Sequence, residues 1–376
     1  MRHLLLLLFF IPVLVFSESL YSPTWGFGLD LPEGYDYVEG NAKDRFSFSG
    51  PGGVYFDLLV YNGTYAAMED LVDDVNRRLG NQGVTDFFVY HNRRAAIVEL
   101  TFADFTGWGL CVELGDSASA GTSVPMLLAL SYCPAGNGAD ILHLSALDSI
   151  VPSVDEQYYP GPIMEYSYPR GEAKQAALAS SGISAMIREN DAEAAQVFIE
   201  REFLILKQYL LSEYWRQAWI RYYRLVYRDS YDRISNAAYA LVRNWGGNSR
   251  NAAGAEGQRE LAQKALSWVQ GFIYERHLDG SDFVNLVSAV TEGRGDCDSR
   301  AMLWAIILAH ADIRAAIMVS REYSHAMGLA DIDGIGARFE IDGTRWLVAE
   351  TTDKIDIGLI DAGISNIENW LGILFD

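Results

Sequence analysis

Apolar and polar residues alternate between residues 20 and 152 in a pattern that predicts β-strands. From Val54 to Val60 every second residue is apolar, which places the apolar side chains on one face of a strand. Residues 95–102 and 126–132 are further β-prone apolar runs bounded by turn-forming residues. These runs predict an antiparallel sheet.

Two helical patterns interrupt the strands. Between residues 65 and 79 the apolar residues recur at intervals of three and four, and Gly80 suits the end of a helix. Residues 139–150 are the second candidate helix. Residues 20–152 are therefore predicted to form an antiparallel sheet backed by one or two helices.

The distribution of proline marks a change of architecture. All ten prolines lie at or before Pro169, and residues 152–171 contain four of them. We interpret residues 153–171 as a linker. The composition that follows predicts a helical region over residues 172–257.

In this helical region Asn190 is the expected N-cap of a long helix that runs toward Arg228. A second helix is predicted over residues 232–245, and residues 246–257 form a flexible break. We interpret the aromatic row of the long helix as packing, with a platform for sugar or peptide as the alternative. The row comprises Phe198, Phe203, Tyr209, Trp215, Trp219, Tyr222 and Tyr223.

Residues 258–376 follow the order helix, loop, helix and strands. Asp342-Gly343 separates two alternating runs and indicates a hairpin, because both central residues of such a turn need positive φ. This hairpin predicts that His325 and Glu350 lie on neighbouring antiparallel strands. The whole chain is thus predicted to be α+β, with a C-terminal core in which one helix packs on a small antiparallel sheet.

The N-terminus and the composition predict an exported protein. An apolar stretch over residues 4–16 makes residues 1–17 typical of a signal peptide. The stretch is shorter than the roughly 20 residues that cross a bilayer, so we expect no stable membrane span after its removal. A net charge of −21 disfavours nucleic acid as a partner. We expect a periplasmic or secreted protein, with a cell-envelope component among its candidate partners.

Cys297 is the candidate nucleophile. It lies in a turn that leads into an apolar helix, where the helix dipole and unpaired N–H groups favour a thiolate. Asp296 and Asp298 oppose this effect by raising the pKa of the thiol, and Arg294 and Arg300 are available to offset them. The sequence leaves the balance open.

His325 and Glu350 complete the candidate chemistry. They follow Cys297 by 28 and 53 residues, so that one helix and a small sheet suffice to bring the three together. An imidazole takes the thiol proton and returns it to the leaving amine, while a carboxylate fixes the tautomer of the imidazole. The N–H of Cys297 is a natural donor to the developing oxyanion. Neither a cofactor nor a metal is expected, because paired cysteines and close histidine pairs are lacking.

Three segments together resemble the transglutaminase-like superfamily, relatives of papain-type cysteine hydrolases. They are residues 295–301 (GDCDSRA), 324–326 (SHA) and 346–352 (WLVAETT). The resemblance covers residues 260–360 and implies an α+β core in which Cys297 is the nucleophile and His325 the base. It also implies a protein or peptide amide as substrate and a thioester intermediate, with hydrolysis slightly preferred to transfer to an amine.

Two positions depart from the pattern of this superfamily. Met327 stands where the family often has tryptophan, and Glu350 stands where it usually has aspartate. A glutamate reaches one methylene further and remains compatible with orienting an imidazole. The departures leave open a slow enzyme or a scaffold without turnover, and Asp353 is the reserve candidate for the acid.

The N-terminal region resembles PsbP or Mog1-like α+β domains of exported proteins. The resemblance rests on residues 25–32 (WGFGLDLP) and 147–150 (LDSI). Cys111 and Cys133 lie in this region and have two open interpretations, a disulfide or two buried thiols. The alternative to an enzyme is a non-catalytic cell-envelope binding or scaffold protein.

Overall fold

The structure is a computed structural model that describes residues 19–41, 43–115, 124–246, 254–276 and 280–375. The predicted signal peptide lies outside the described residues. Within them, no helix is both long and apolar enough to span a membrane.

Strands and helices mix along the described chain, as the predicted α+β class requires. The strands are β1 (Leu20–Tyr21), β2 (Gly28–Leu29), β3 (Asp36–Gly40), β4 (Arg45–Ser49), β5 (Tyr55–Tyr61), β6 (Thr85–Tyr90), β7 (Arg93–Phe102), β8 (Phe105–Glu113), β9 (Met126–Pro134), β10 (Ala173–Ala177), β11 (Ser184–Arg188), β12 (Ile273–Tyr274), β13 (Arg294–Gly295), β14 (Ala315–Ser320), β15 (His325–Ala330), β16 (Arg338–Ile341), β17 (Thr344–Ala349) and β18 (Leu371–Ile373). The α-helices are α1 (Met68–Leu79), α2 (Asp140–Asp148), α3 (Pro162–Ser167), α4 (Asp191–Tyr209), α5 (Trp215–Arg233), α6 (Ser235–Asn244), α7 (Ala255–Val269), α8 (Leu286–Glu292) and α9 (Cys297–Ala309).

The N-terminal region is an antiparallel sheet with the strand order β3-β4-β5-β9-β8-β7-β6, which confirms the predicted sheet. Apolar side chains of α1 cover one face, and α2 packs against β8 and β9 on the other. Gly80 ends α1 with φ 65°, a left-handed conformation that suits glycine.

Cys111 and Cys133 are both buried free thiols, so the disulfide interpretation is wrong. Cys111 belongs to the apolar cluster beneath α1, whereas Cys133 belongs to the cluster on the α2 side. Successive side chains of a strand alternate between the two faces, and these two cysteines lie on opposite faces of adjacent strands.

Two regions between the sheets carry structure that the sequence did not predict. The predicted linker contains α3, and the predicted helical region opens with the hairpin of β10 and β11. Ser180 and Gly182 adopt positive φ in the turn between these strands, and such a turn ends any helix. Propensity therefore gave the wrong structure for residues 173–188.

The long aromatic helix predicted from Asn190 toward Arg228 is two helices, α4 and α5. Ser212 breaks it, because its hydroxyl donates to the carbonyl of Tyr209 at 2.9 Å and accepts from the N–H of Tyr214 at 3.2 Å. Asn190 precedes α4 as predicted, but its side chain donates to the carbonyl of Pro169 instead of capping the helix. The next helix, α6, begins at Ser235, because α5 continues to Arg233.

Buried ionic side chains join α2 to α4 and α5. Arg201 contacts Asp148 at 2.6 Å and Glu202 at 2.9 Å, and Arg221 contacts Glu202 at 3.0 Å. Each charge is paired and hydrogen-bonded, as buried charges require. The N-terminal sheet region and the helices are therefore held in register by directional contacts.

The C-terminal sheet has the order β16-β17-β15-β14-β18, with all neighbours antiparallel. Asp342 and Gly343 both adopt positive φ between β16 and β17, which confirms the predicted hairpin. Helix α9 packs on β14 and β15, where the buried ring of Trp304 lies against Gly328. This contact sets how closely the helix approaches the sheet.

Substituting Gly328→Ala should destabilise the protein by about 1–3 kcal/mol, because the added Cβ overlaps the Trp304 ring in a region with no spare volume. Chemical denaturation measures this change in the free energy of unfolding. Gly254→Ala is the matched control, since a Cβ there meets no atom within 4 Å. Equal unfolding free energies for the two variants would contradict the packing argument.

Candidate active site

Cys297 is the first residue of α9, at the position where backbone N–H groups lack helical partners. Asp296 is the N-cap, and its carboxylate accepts the N–H of Ser299 at 2.9 Å. Arg300 is buried and donates to the carbonyls of Gly295 and Phe272. The turn before the thiol is thus held by the Asp296 cap and by the hydrogen bonds of Arg300.

His325 begins β15 and lies beside this helix terminus. Its neighbour Ala326 directs a backbone N–H at the Cys297 sulfur. Cys297 and His325 also line the same cavity. The structure therefore brings the predicted nucleophile and base together.

Glu350 follows the last residue of β17 and contacts the imidazole. Its Oε2 lies 2.8 Å from Nε2 of His325, while its Oε1 accepts the N–H of Thr352 at 2.8 Å and the Thr352 hydroxyl at 2.6 Å. Burial acts to raise the pKa of Glu350, but His325 and Thr352 outweigh it and hold the pKa below its ordinary value. The reserve acid, Asp353, is exposed.

A buried glutamine directly after α7 supports the segment that carries Glu350. Nε2 of Gln270 donates to the carbonyl of Glu350 at 2.8 Å and to that of Ile355 at 2.9 Å. Because Gln270 is 6% exposed, these bonds are shielded from water. The bonds from Gln270 hold the backbone of Glu350 in place and so keep its carboxylate against the imidazole.

The thiol itself is electrostatically disfavoured as a thiolate. Burial raises the pKa of Cys297, and the carboxylates of Asp298 and Asp296 raise it further, against the N–H groups of Ala326 and Asp298. Arg294 is paired with Glu275 and Glu292, and Arg300 donates to backbone carbonyls, so neither arginine is paired with Asp296 or Asp298. The balance that the sequence left open thus favours the neutral thiol.

The cavity in front of Cys297 has a volume of about 220 Å³. Trp219 and Tyr223 of α5 form one wall, and Asp298 contributes a carboxylate 4.0 Å from the sulfur. Tyr223 and Asp298 thus line the cavity together. Residues of the helical region therefore complete the site.

A second cysteine–histidine pair lies in the N-terminal sheet region, where His143 contacts Cys133 at 3.3 Å and Ser131 at 2.9 Å. All three side chains are almost fully buried. None of them lines any of the five foremost cavities of the described chain. Access to a cavity thus distinguishes Cys297 from Cys133.

Asp296, Cys297 and Asp298 are close enough together to face one cation. Asp296, however, is committed to Ser299 as the helix N-cap. Three consecutive residues of one turn give a ligand set without paired cysteines or close histidines, which fits a structural zinc site poorly. The group is better explained by the capping of α9.

Sequence reasoning missed the residues that act on the three candidates from outside. Thr352 belongs to the segment of residues 346–352, but no role was predicted for it. Gln270, Tyr223 and Trp219 lie far from this segment along the chain. The hydroxyl of Thr352, two residues after Glu350, was the one usable signal in the sequence.

Comparison with known family models and with curated proteins finds no match to this chain.

Thr352→Val should raise the pKa of Glu350, because it removes one of the donors that stabilise the carboxylate. Because the lost bond also holds the carboxylate against His325, we expect labelling of Cys297 by a thiol-reactive amide mimic to slow by about tenfold at neutral pH, with the acid side of its pH profile moved to higher pH. Thr352→Ser should restore both.

The matched control for this experiment is Thr351→Val. The Thr351 hydroxyl is buried without a partner among the described residues, so an isosteric methyl should leave labelling unchanged. If Thr352→Val behaves like this control, Thr352 does not position Glu350.

Asp298→Asn should lower the pKa of Cys297, because it removes a negative charge close to the sulfur. Alkylation by iodoacetamide, measured between pH 6 and 10 by mass spectrometry, should become faster by on the order of tenfold on the acid side of the profile. Asp282→Asn is the control, since that carboxylate lines the same cavity but is paired with Arg276. The same acceleration in both variants would refute a specific effect of Asp298.

Proposed function

We propose that this protein is a cysteine enzyme of the transglutaminase-like type that cleaves or transfers an amide through a thioester on Cys297. One observation carries the proposal: the thiol and a carboxylate-bound imidazole open into one cavity. A C-terminal helix packed on an antiparallel sheet, with the residues in the superfamily's order, supports it.

His325 acts as a general base in this mechanism. Because Glu350 occupies Nε2, the Nδ1 atom takes the proton of the Cys297 thiol as the sulfur attacks the amide carbonyl. The oxyanion accepts the N–H of Cys297, which lacks a helical partner. The imidazolium then protonates the departing amine and leaves the acyl group on sulfur.

Deacylation reverses the roles. Water gives a proton to Nδ1 of His325 as its oxygen attacks the thioester, and the sulfur leaves and recovers that proton. The products are a carboxylic acid and the free thiol. An amine in place of water gives a new amide, and we favour water as the acceptor.

The raised pKa of Cys297 means that proton transfer accompanies attack, without a resting thiolate–imidazolium pair. The same observation favours the second candidate function, a non-catalytic envelope or scaffold protein. Export is supported under either function by the signal-like residues 1–17 and by the resemblance of residues 25–32 and 147–150 to domains of exported proteins.

A peptide fluoromethyl ketone tests the proposal, because its poor leaving group makes it react slowly with an ordinary thiol and faster with a thiol activated by a general base. The intact protein should be labelled once, and Cys297→Ser should not be labelled. We expect His325→Ala to slow labelling by about 100-fold or more and Glu350→Gln by about tenfold. Intact-mass spectrometry follows the reaction.

Asp353→Asn is the matched control for Glu350→Gln, since the exposed Asp353 carboxylate should be dispensable. Persistent labelling of Cys297→Ser, or full-rate labelling of His325→Ala, would defeat the enzyme assignment. An intact protein that reacts no faster than a simple thiol would instead support the scaffold.

A further inference from the structure

A second cavity adjoins the one in front of Cys297. It has a volume of about 330 Å³, within the range of small-molecule sites. The two cavities share Trp219, Val319 and Arg321 as lining residues, so that they lie side by side. We call this second space the tryptophan cavity.

Three indole rings form the aromatic walls of the tryptophan cavity. Trp215 and Trp219 lie one turn apart on α5 and meet edge to face at 5.8 Å. Trp370 is fixed by a 2.8 Å hydrogen bond from its Nε1 to the carbonyl of Ile364, and its ring lies 6.2 Å from that of His325. These rings are rigid surfaces beside the candidate base.

The polar lining of the tryptophan cavity is balanced in charge. The lining contains two arginines, Arg216 and Arg321, and two glutamates, Glu322 and Glu368, so it selects neither a cation nor an anion. The Arg216 guanidinium lies 5.1 Å from the centre of the Trp215 ring, which restrains it. Asn369 is held by a 2.9 Å bond from its Nδ2 to the Tyr323 hydroxyl. The cavity therefore offers guanidinium, carboxylate and amide groups as donors and acceptors, of which those of Arg216 and Asn369 are restrained.

We propose that the tryptophan cavity binds a neutral saccharide carried by the substrate, adjacent to the amide that Cys297 attacks. A pyranose has apolar C–H faces, which pack on indole rings, and hydroxyl edges, which hydrogen-bond to guanidinium, carboxylate and amide groups. The assignment of the amide rests on the proposed function, whereas saccharide binding does not require the thiol.

An apolar peptide side chain fits this lining less well. It would cover the indole rings but remove water from Arg216, Arg321, Glu322 and Glu368 without replacing the lost hydrogen bonds. A charged peptide would meet one set of like charges in the lining. The balance of aromatic and polar groups thus favours the saccharide.

The test is a titration of full-length Cys297→Ser protein with tri-N-acetylchitotriose and with cellotriose, followed by tryptophan fluorescence and calorimetry. We expect saturable binding of at least one oligosaccharide in the millimolar range or tighter. Trp215→Ala should weaken it by about tenfold or more, because one stacking surface is lost. Trp215→Phe should retain most of the affinity.

Tyr239→Ala is the matched control, since Tyr239 is an exposed aromatic residue on α6. Thermal melting confirms that each variant is folded. The saccharide proposal is overturned if neither oligosaccharide binds, if Trp215→Ala binds as well as the control, or if an unglycosylated peptide alone shows the Trp215-dependent response. Saccharide binding by a protein whose Cys297 proves unreactive would defeat the enzyme proposal and leave this inference standing.

Discussion

The packing of α9 on β14 and β15 is the constraint on which the candidate site depends. Cys297 and His325 belong to different elements, and α9 lies close to β15 where Trp304 packs on the backbone of Gly328 without an intervening side chain. The N–H of Ala326 then faces the sulfur. Since β17 pairs with β15, the same sheet carries Glu350 to the imidazole. The packing of one helix on one sheet therefore places three side chains from three elements around one site.

The charges around the thiol follow from how the start of α9 is built. Asp296 is needed as the N-cap, and Arg300 is used to hold the carbonyls of Gly295 and Phe272. The acids consequently remain close to the sulfur without a cation devoted to them, and the thiol stays protonated. The His325 imidazole, in contrast, contacts the carboxylate of Glu350, whose lowered pKa keeps it ionised. If the site is catalytic, its reactivity thus comes from the base and not from a preformed thiolate.

Sequence patterns predicted the elements whose determinants are local. Alternation and β-prone apolar runs predicted β5, β7 and β9 of the N-terminal sheet, and Asp342-Gly343 predicted the hairpin, because the turn requires residues that tolerate positive φ. The break at Ser212 depends on a side chain that competes for backbone groups, and residues 173–188 form a hairpin despite helical composition. For the site, order and residue type predicted Cys297, His325 and Glu350 as neighbours. The direction of the thiol pKa was not predictable, since it depends on burial.

The aromatic row of α4 and α5 illustrates why a pattern of residue types does not determine their use. Phe198, Tyr209 and Tyr222 are buried, which confirms packing for that part of the row, whereas Trp215 and Trp219 line cavities. Helical spacing alone does not separate these groups, because the difference lies in which elements cover each face. Tyr223 belongs to both groups, since it is buried and also lines the cavity in front of Cys297. The helical region is therefore part of the candidate site, and an isolated C-terminal fragment would lose one wall of the cavity around Cys297.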